Sequence, residues 1–311
     1  MARGPHDGIW GLGMDGHPGV APSSVLTSQV CTYESIHSPQ LLRWSARLRP
    51  MWDPDGTDTR EVFDHRKMWE WLFICESLRE AGMLQPGRRG LGFGVGREAL
   101  VSLFAGMGCT LVATDLGAEQ ARAAGWTETG SEFAGGLAGL NDYGLCPSEE
   151  FRQRVEYRDL DMNHIPDDLR NFDFTWSSCA FEHLGSLAAG MDFVANQMQC
   201  LKPGGLAVHT TELNVSSDTD TITQGGTVLY RRWDIEDLVR RLRSDGHRIA
   251  YDLSEGSHPA DRHVDVPPFT NTHLRTRLGE YTTTSLALVI QKDGGAGAWR
   301  SRAKRLLARQ R

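Results

Sequence analysis

Two hydrophobic periods alternate along this chain. Leu41, Leu42, Trp44 and Leu48 recur at helical spacing and predict a short helix over 40–48, closed by Pro50 and the turn-forming Asp53-Pro54-Asp55-Gly56. Val62, Met68, Trp69, Leu72, Cys75 and Leu78 predict a longer helix over 61–82 with Gly82 as its C-cap. Ala99, Leu100, Leu103 and Phe104 repeat the pattern, and residues 192–201 continue it. So do Ile235, Leu238, Val239 and Leu242, with Asp234 and Asp237 near the positive end of that helix and Arg240, Arg241 and Arg243 near its negative end. Between these stretches stand short runs that read as strands: 110–114, 154–158, 172–178, 206–210, 247–251 and 282–290. Residues 118–148 read as a short helix followed by irregular structure.

The stretch 90–116 binds these elements into a site. Gly92, Gly94 and Gly96 let the backbone turn sharply from strand into helix and approach a ligand, because no Cβ stands in the way. The next strand ends in Asp115. A parallel strand-helix-strand unit sets the glycine loop and that acid side by side at the carboxyl edge of the sheet, where the acid can take both hydroxyls of a ribose. Gly94-x-Gly96-x-x-Ala99 also satisfies a dinucleotide fingerprint, so the loop alone leaves nicotinamide or flavin binding open.

Farther on, Phe172-Asp173-Phe174-x-x-Ser177, Glu182-His183-Leu184 and Leu201-Lys202-Pro203-Gly204-Gly205 follow in order, Pro203 stopping a helix and the glycines turning into the next strand. With Gly92-x-Gly94-x-Gly96 and Asp115, this series resembles the class I S-adenosylmethionine-dependent methyltransferases over roughly residues 60–292. The resemblance implies a doubly wound, Rossmann-like α/β sheet of seven strands with an antiparallel last strand beside the sixth, under an N-terminal helical cover. It implies S-adenosylmethionine as cofactor, held by Gly92, Gly94, Gly96, Asp115, Leu116, Asp161, Met162 and Ser178. Asp161, rather than Asp159, would meet the adenine amino group. One position departs from the family: Gly90 stands where an acid associated with the methionine end of the cofactor is usual. The helix over 61–82 is the one that often covers the cofactor in this family, and its His65-Arg66-Lys67 offers anion or hydroxyl contacts, or a solvated charged face.

Charge and composition narrow the partners. The formal net charge is −7 although Arg300, Arg302, Lys304, Arg305, Arg309 and Arg311 form an acid-free tail, so the body is more acidic still and a poor nucleic-acid binder. The 6 cysteines show no Cys-x-x-Cys pair and read as reduced thiols. The first residues lead into no apolar run of signal-peptide or membrane-spanning kind, and a cytoplasmic protein is expected. Three regions are expected: a Gly- and Pro-rich arm with an accessory helix over 1–60, the methyltransferase domain over 61–292, and a basic C-terminal helix over 293–311 beyond a glycine joint. That last helix could pack on the acidic body or a sister subunit in a homo-oligomer.

Methyl transfer requires an aligned acceptor and, for a hydroxyl, removal of its proton. Candidates at the carboxyl ends of the fourth and fifth strands are His183, whose imidazole is a natural base for a hydroxyl, and His209 with Glu212. His263, with Asp261 or Asp265, lies in the connection before the last strand. His209, Glu212 and His263 could instead hold a divalent metal that orients a diol. The expected reaction is O-methylation of a small polar acceptor, a sugar or specialised metabolite. The alternatives are N-methylation of an amine or amino acid, with Glu182 and Glu212 binding the cationic acceptor, and a non-catalytic S-adenosylmethionine-binding protein.

Overall fold

The computed structural model describes residues 27–53, 55–123, 125, 133–269 and 272–294. The expected N-terminal arm over 1–24 and the basic helix over 299–311 lie outside them. In chain order the elements are β1 (Ser28–Val30), α1 (Tyr33–Ile36), α2 (Pro39–Leu48), α3 (Arg66–Glu80), β2 (Arg89–Phe93), α4 (Leu100–Gly106), β3 (Thr110–Asp115) and α5 (Ala118–Ala123). Then come α6 (Ser148–Arg154), β4 (Val155–Asp159), β5 (Phe172–Ser178), β6 (Gly185–Ser186), α7 (Leu187–Gln197), β7 (Leu201–Asn214) and β8 (Gln224–Gly225). Last are α8 (Arg232–Ser244), β9 (Tyr251–Asp252), α9 (Pro259–Arg262), β10 (Arg275–Leu278) and β11 (Tyr281–Gln291). None of the described helices is long and apolar enough to cross a membrane.

Local chemistry starts the helices where the periodicity places them. Ser38 caps α2 by accepting the Leu41 N–H at 3.4 Å, with Pro39 in the first turn where a missing N–H costs nothing. The His65 ring caps α3 through Nδ1, which accepts the Lys67 N–H at 3.1 Å. Burial holds that imidazole down to about 3, so it stays neutral and serves as an acceptor. On α8 the Asp234 carboxylate takes the Arg231 N–H at 2.9 Å.

The main sheet runs β4-β3-β2-β5-β7-β11-β1-β9, with β10 paired to β11. Strands β4, β3, β2, β5 and β7 are mutually parallel, and β11 returns antiparallel to β7 from Asn214↔Thr283 to Leu206↔Gln291. Side chains alternate across it. Val208, Ala287 and Val289 join Trp44, Leu72 and Phe104 in one core, whereas Ala207, Leu286, Leu288 and Ile290 join Phe193, Ile235 and Leu238 of α7 and α8 in the other.

The doubly wound sheet with its antiparallel last strand is thus present, and the edge beyond β11 differs from expectation. The run 247–251 shrinks to Tyr251–Asp252 at the outer edge, with a single bridge from Arg248 to Gln291. The place beside β11 belongs to Ser28–Val30, antiparallel to β11 and parallel to β9. Residues before 61, read as an arm and accessory helix, therefore also supply a strand to this sheet. They pack against α3 as well, where the Trp44 indole donates to Glu76 at 2.8 Å.

Candidate active site

Going along the sheet, the chain order reverses between β2 and β5, so the carboxyl ends of these two strands flank the crevice in which such folds take ligands. The glycine loop rises from β2 into this crevice. Gly94 and Gly96 have φ of 55° and 51°, the left-handed region that a side chain resists. A Cβ on Gly94 would stand 2.9 Å from the Ala180 Cβ and 3.3 Å from the Met162 sulfur, so loop, β5 end and the turn after β4 meet at this point. Gly94→Ala is expected to weaken S-adenosylhomocysteine binding at least tenfold, read by calorimetry, with a stability loss of about 1–2 kcal/mol from the strained φ.

Asp115 ends β3 beside the loop. Its Oδ2 accepts the N–H groups of Gly96 at 3.2 Å and Ala134 at 3.0 Å, and its Oδ1 accepts that of Leu116 at 2.9 Å. Burial raises its pKa against these bonds. The carboxylate is therefore an anchor of the loop as well as a candidate ribose partner, with Oδ1 the freer oxygen. Met162 is buried against the loop, while Asp161 is turned to its own neighbours, His164 at 2.9 Å and the Asn163 N–H at 2.9 Å. Burial opposes ionisation of Asp161, but these hydrogen bonds prevail and its pKa is lowered.

The covering helix α3 contributes more than a cover. His65 caps it, and Arg66, Lys67 and Glu70 point into the strand ends. Lys67 Nζ lies 3.3 Å from Glu70, 3.2 Å from Glu98, and 3.2 Å from both the carbonyl and hydroxyl oxygens of Ser178. Glu70 is wholly buried and accepts from Ser178 and Thr210 at 3.2 Å, from the Cys179 thiol at 3.1 Å and from Ser285. Burial works against its charge, but Lys67 and Arg66 overcome this and its pKa falls below the glutamate range. The solvated-face reading of Arg66 and Lys67 does not hold, because their charges are spent inward on carboxylates.

Past β5 the backbone turns through Cys179, whose φ of 46° is unusual for a residue with a Cβ. That turn carries Glu182 back toward Glu212 on β7. Arg66 joins them, its NH2 2.5 Å from Glu212 Oε1 and its NH1 3.9 Å from the Cys179 sulfur. Glu212 also accepts from Thr283 at 2.8 Å, and Glu182 Oε2 accepts from Thr211 at 3.0 Å. Two buried atoms of this cluster, Glu182 Oε1 and Arg66 Nε, have no hydrogen-bond partner among the described residues.

The histidines singled out from sequence lie elsewhere. His209 faces the opposite side of β7 from Glu212, as two strand residues an odd number apart must. It is wholly buried between Phe181 and Phe193, its Nδ1 2.8 Å from the Ser177 hydroxyl, and burial holds its pKa down to about 3. His263 is exposed at the C-cap of α9. Asp261 accepts the N–H groups of Tyr33 at 2.6 Å and His258 at 3.1 Å, and Asp265 pairs with His273 at 2.7 Å. His183 is half-buried, its Nδ1 donating to the Gly226 carbonyl at 2.8 Å.

The structure thus does not bring His209, Glu212 and His263 together as metal ligands. Among the described residues, Cys179, Glu182 and Glu212 do hold ligand-type atoms within 4.8 Å of one another. Arg66 already supplies positive charge between Glu212 and Cys179.

Comparison with known proteins agrees with this architecture. Residues 91–209, from β2 to the middle of β7, match the family described as a methyltransferase domain. A search of curated proteins finds no match. Solved structures of similar shape include an S-adenosylmethionine-dependent methyltransferase from Clostridium acetobutylicum, at 14% identity over 80% of this chain and 98% of that one, TM-score 0.42. TehB from Haemophilus influenzae aligns at 12% identity over 78% and 66%, TM-score 0.46. An S-adenosylmethionine-dependent methyltransferase from Mesorhizobium loti aligns at 17% over 70% and 96%, TM-score 0.43. Residues 91–209, which span the crevice between β2 and β5, thus match a methyltransferase domain, and they do so within a doubly wound sheet whose strand β11 returns antiparallel to β7.

Proposed function

We propose that this enzyme moves a methyl group from S-adenosylmethionine to a hydroxyl oxygen of a small polar acceptor, a sugar or specialised metabolite, with Glu182 receiving the hydroxyl proton. The observation that carries this reading is the pair of unmatched buried atoms, Glu182 Oε1 and Arg66 Nε, on two side chains that both lie beside Glu212. A hydroxyl both donates and accepts, so a single O–H can satisfy the two. An ammonium has no acceptor and would leave the Arg66 N–H unmatched, so an amine would have to enter already deprotonated to satisfy both atoms. A binding protein without catalysis would gain nothing from burying an unpaired carboxylate.

The cofactor fits the residues present: left-handed glycines at the loop, an acid at the next strand end and Met162 against Gly94. When bound it supplies an electrophilic methyl carbon on a cationic sulfur that leaves as a neutral thioether. The chain's part is to align the acceptor and take its proton. The O–H bond opens toward Glu182 while the acceptor oxygen bonds to carbon. Burial holds the Glu182 carboxyl above the usual glutamate range, opposed by His183 and reinforced by Glu212 and Glu70. A carboxylate so placed is a stronger base than one in water.

The test is transfer from methyl-labelled cofactor to matched polyol and amine panels across pH. Label is expected on oxygen, with kcat rising through one ionisation that lies above the ordinary glutamate pKa. Label on nitrogen, with a profile that follows the acceptor's own pKa, would overturn the reading.

A further inference from the structure

We infer that Lys67 and Glu98 form a clamp for the α-amino-acid end of the cofactor, Lys67 taking its carboxylate and Glu98 its ammonium. This rests on the cofactor reading above and extends it to residues that no part of the glycine signature includes. The first ground is place. Glu98 lies two residues beyond Gly96, Ser178 is the last residue of β5, and Lys67 reaches both at 3.2 Å. The ion pair therefore stands across the crevice between β2 and β5.

The second ground is direction. The candidate nucleoside contacts, Asp115 at the end of β3 and Met162 just beyond β4, lie on the far side of β2 from β5. A cofactor laid along these strand ends with its nucleoside over β3 and β4 brings its other end over β2 and β5. The third ground is what β2 lacks. A Cβ on Gly90 would fall 2.4 Å from the Phe174 ring and 2.9 Å from Leu111, so no acid fits there to receive an ammonium. Glu98 offers a carboxylate from the loop instead.

The charges also match. Opposite charges 3.2 Å apart present to a zwitterion the partner for each of its ends, and on binding each protein ion exchanges one partner for another. No buried charge is left alone in either state, which keeps the exchange from carrying a large desolvation cost.

Calorimetry with two ligands tests this. S-adenosylhomocysteine carries the amino-acid end, and 5′-methylthioadenosine keeps nucleoside and sulfur without it. In Lys67→Met and Glu98→Gln the Kd for S-adenosylhomocysteine is expected to rise about 10- to 100-fold, the range of a lost charged hydrogen bond, with methylthioadenosine within about twofold of wild type. Equal weakening of both ligands, or unchanged S-adenosylhomocysteine binding, would overturn the clamp. Glu98→Gln keeps the shape and spares the buried Glu70 network, so it decides the matter if Lys67→Met fails to fold. Wild-type protein that binds neither ligand would instead overturn the cofactor reading itself.

Discussion

Glu182→Gln is expected to lower kcat by about 10²–10⁴-fold, the usual worth of a general base, while S-adenosylhomocysteine affinity stays within about twofold of wild type. Glutamine keeps the shape and the bond to Thr211, and loses the ability to take a proton. The variant should also lose the rise of kcat with pH, because the ionisation that produces it is gone. Acceptors that are already acidic, such as phenols, should suffer least, since they need the base least. Single-turnover transfer separates the chemical step from binding. Wild-type rates in this variant would end the assignment, and a parallel loss of cofactor affinity would move Glu182 into the pocket wall.

Replacing Glu70 has the largest expected effect on stability. Its two oxygens collect Lys67, Arg66, Ser178, Thr210, Cys179 and Ser285, from one helix, three strands and the turn after β5. Glu70→Leu leaves two buried cations short of a counter-charge and strands the hydroxyls, and should cost about 3–5 kcal/mol in urea denaturation. A loss below about 1 kcal/mol would show that water reaches the cluster and screens it. Because the folded pKa of Glu70 is depressed, its contribution is fully present above the ordinary glutamate pKa and disappears as pH falls through the lower folded value. Glu98 and Glu182 have raised folded pKa values, with burial the leading cause, so their contributions have the opposite sign. They favour the fold below the unfolded pKa, and that benefit is lost as pH rises through the folded values. Comparing acid limbs of wild type and Glu70→Gln isolates the first effect.

Much of this was legible in the sequence because it is local. The glycine loop, Asp115, Phe172–Ser178 and the Pro203-Gly204-Gly205 turn each announce themselves within a few residues, and together they give the sheet and its crevice. Parity could also have been read: His209 and Glu212 are an odd number apart in one strand and must face opposite ways. The carboxylate cluster was harder. Glu70 lies among Met68, Trp69, Leu72 and Phe73, and nothing in a helical repeat tells a buried acid with six donors from an exposed one. Its partners come from β5, β7 and β11, brought together only by the finished sheet. Glu98 and Glu182 looked like neighbours of better-known motifs, and their importance depends on what Lys67 and Arg66 reach. The sixth-strand run was misplaced for a similar reason, since its alternation is real and a remote segment with a weaker pattern took its seat.

That remote segment has a consequence for how the chain is made. Ser28 Oγ accepts the Val289 N–H at 2.9 Å, across 261 residues of sequence. At about 5–20 residues per second of synthesis, the first strand leaves the ribosome many seconds before its partner exists. Closing so long a loop comes late and slowly, whereas β2 to β5 can pair as soon as they emerge. The crevice between β2 and β5 is therefore assembled on a nascent chain whose β1–β11 edge is still open.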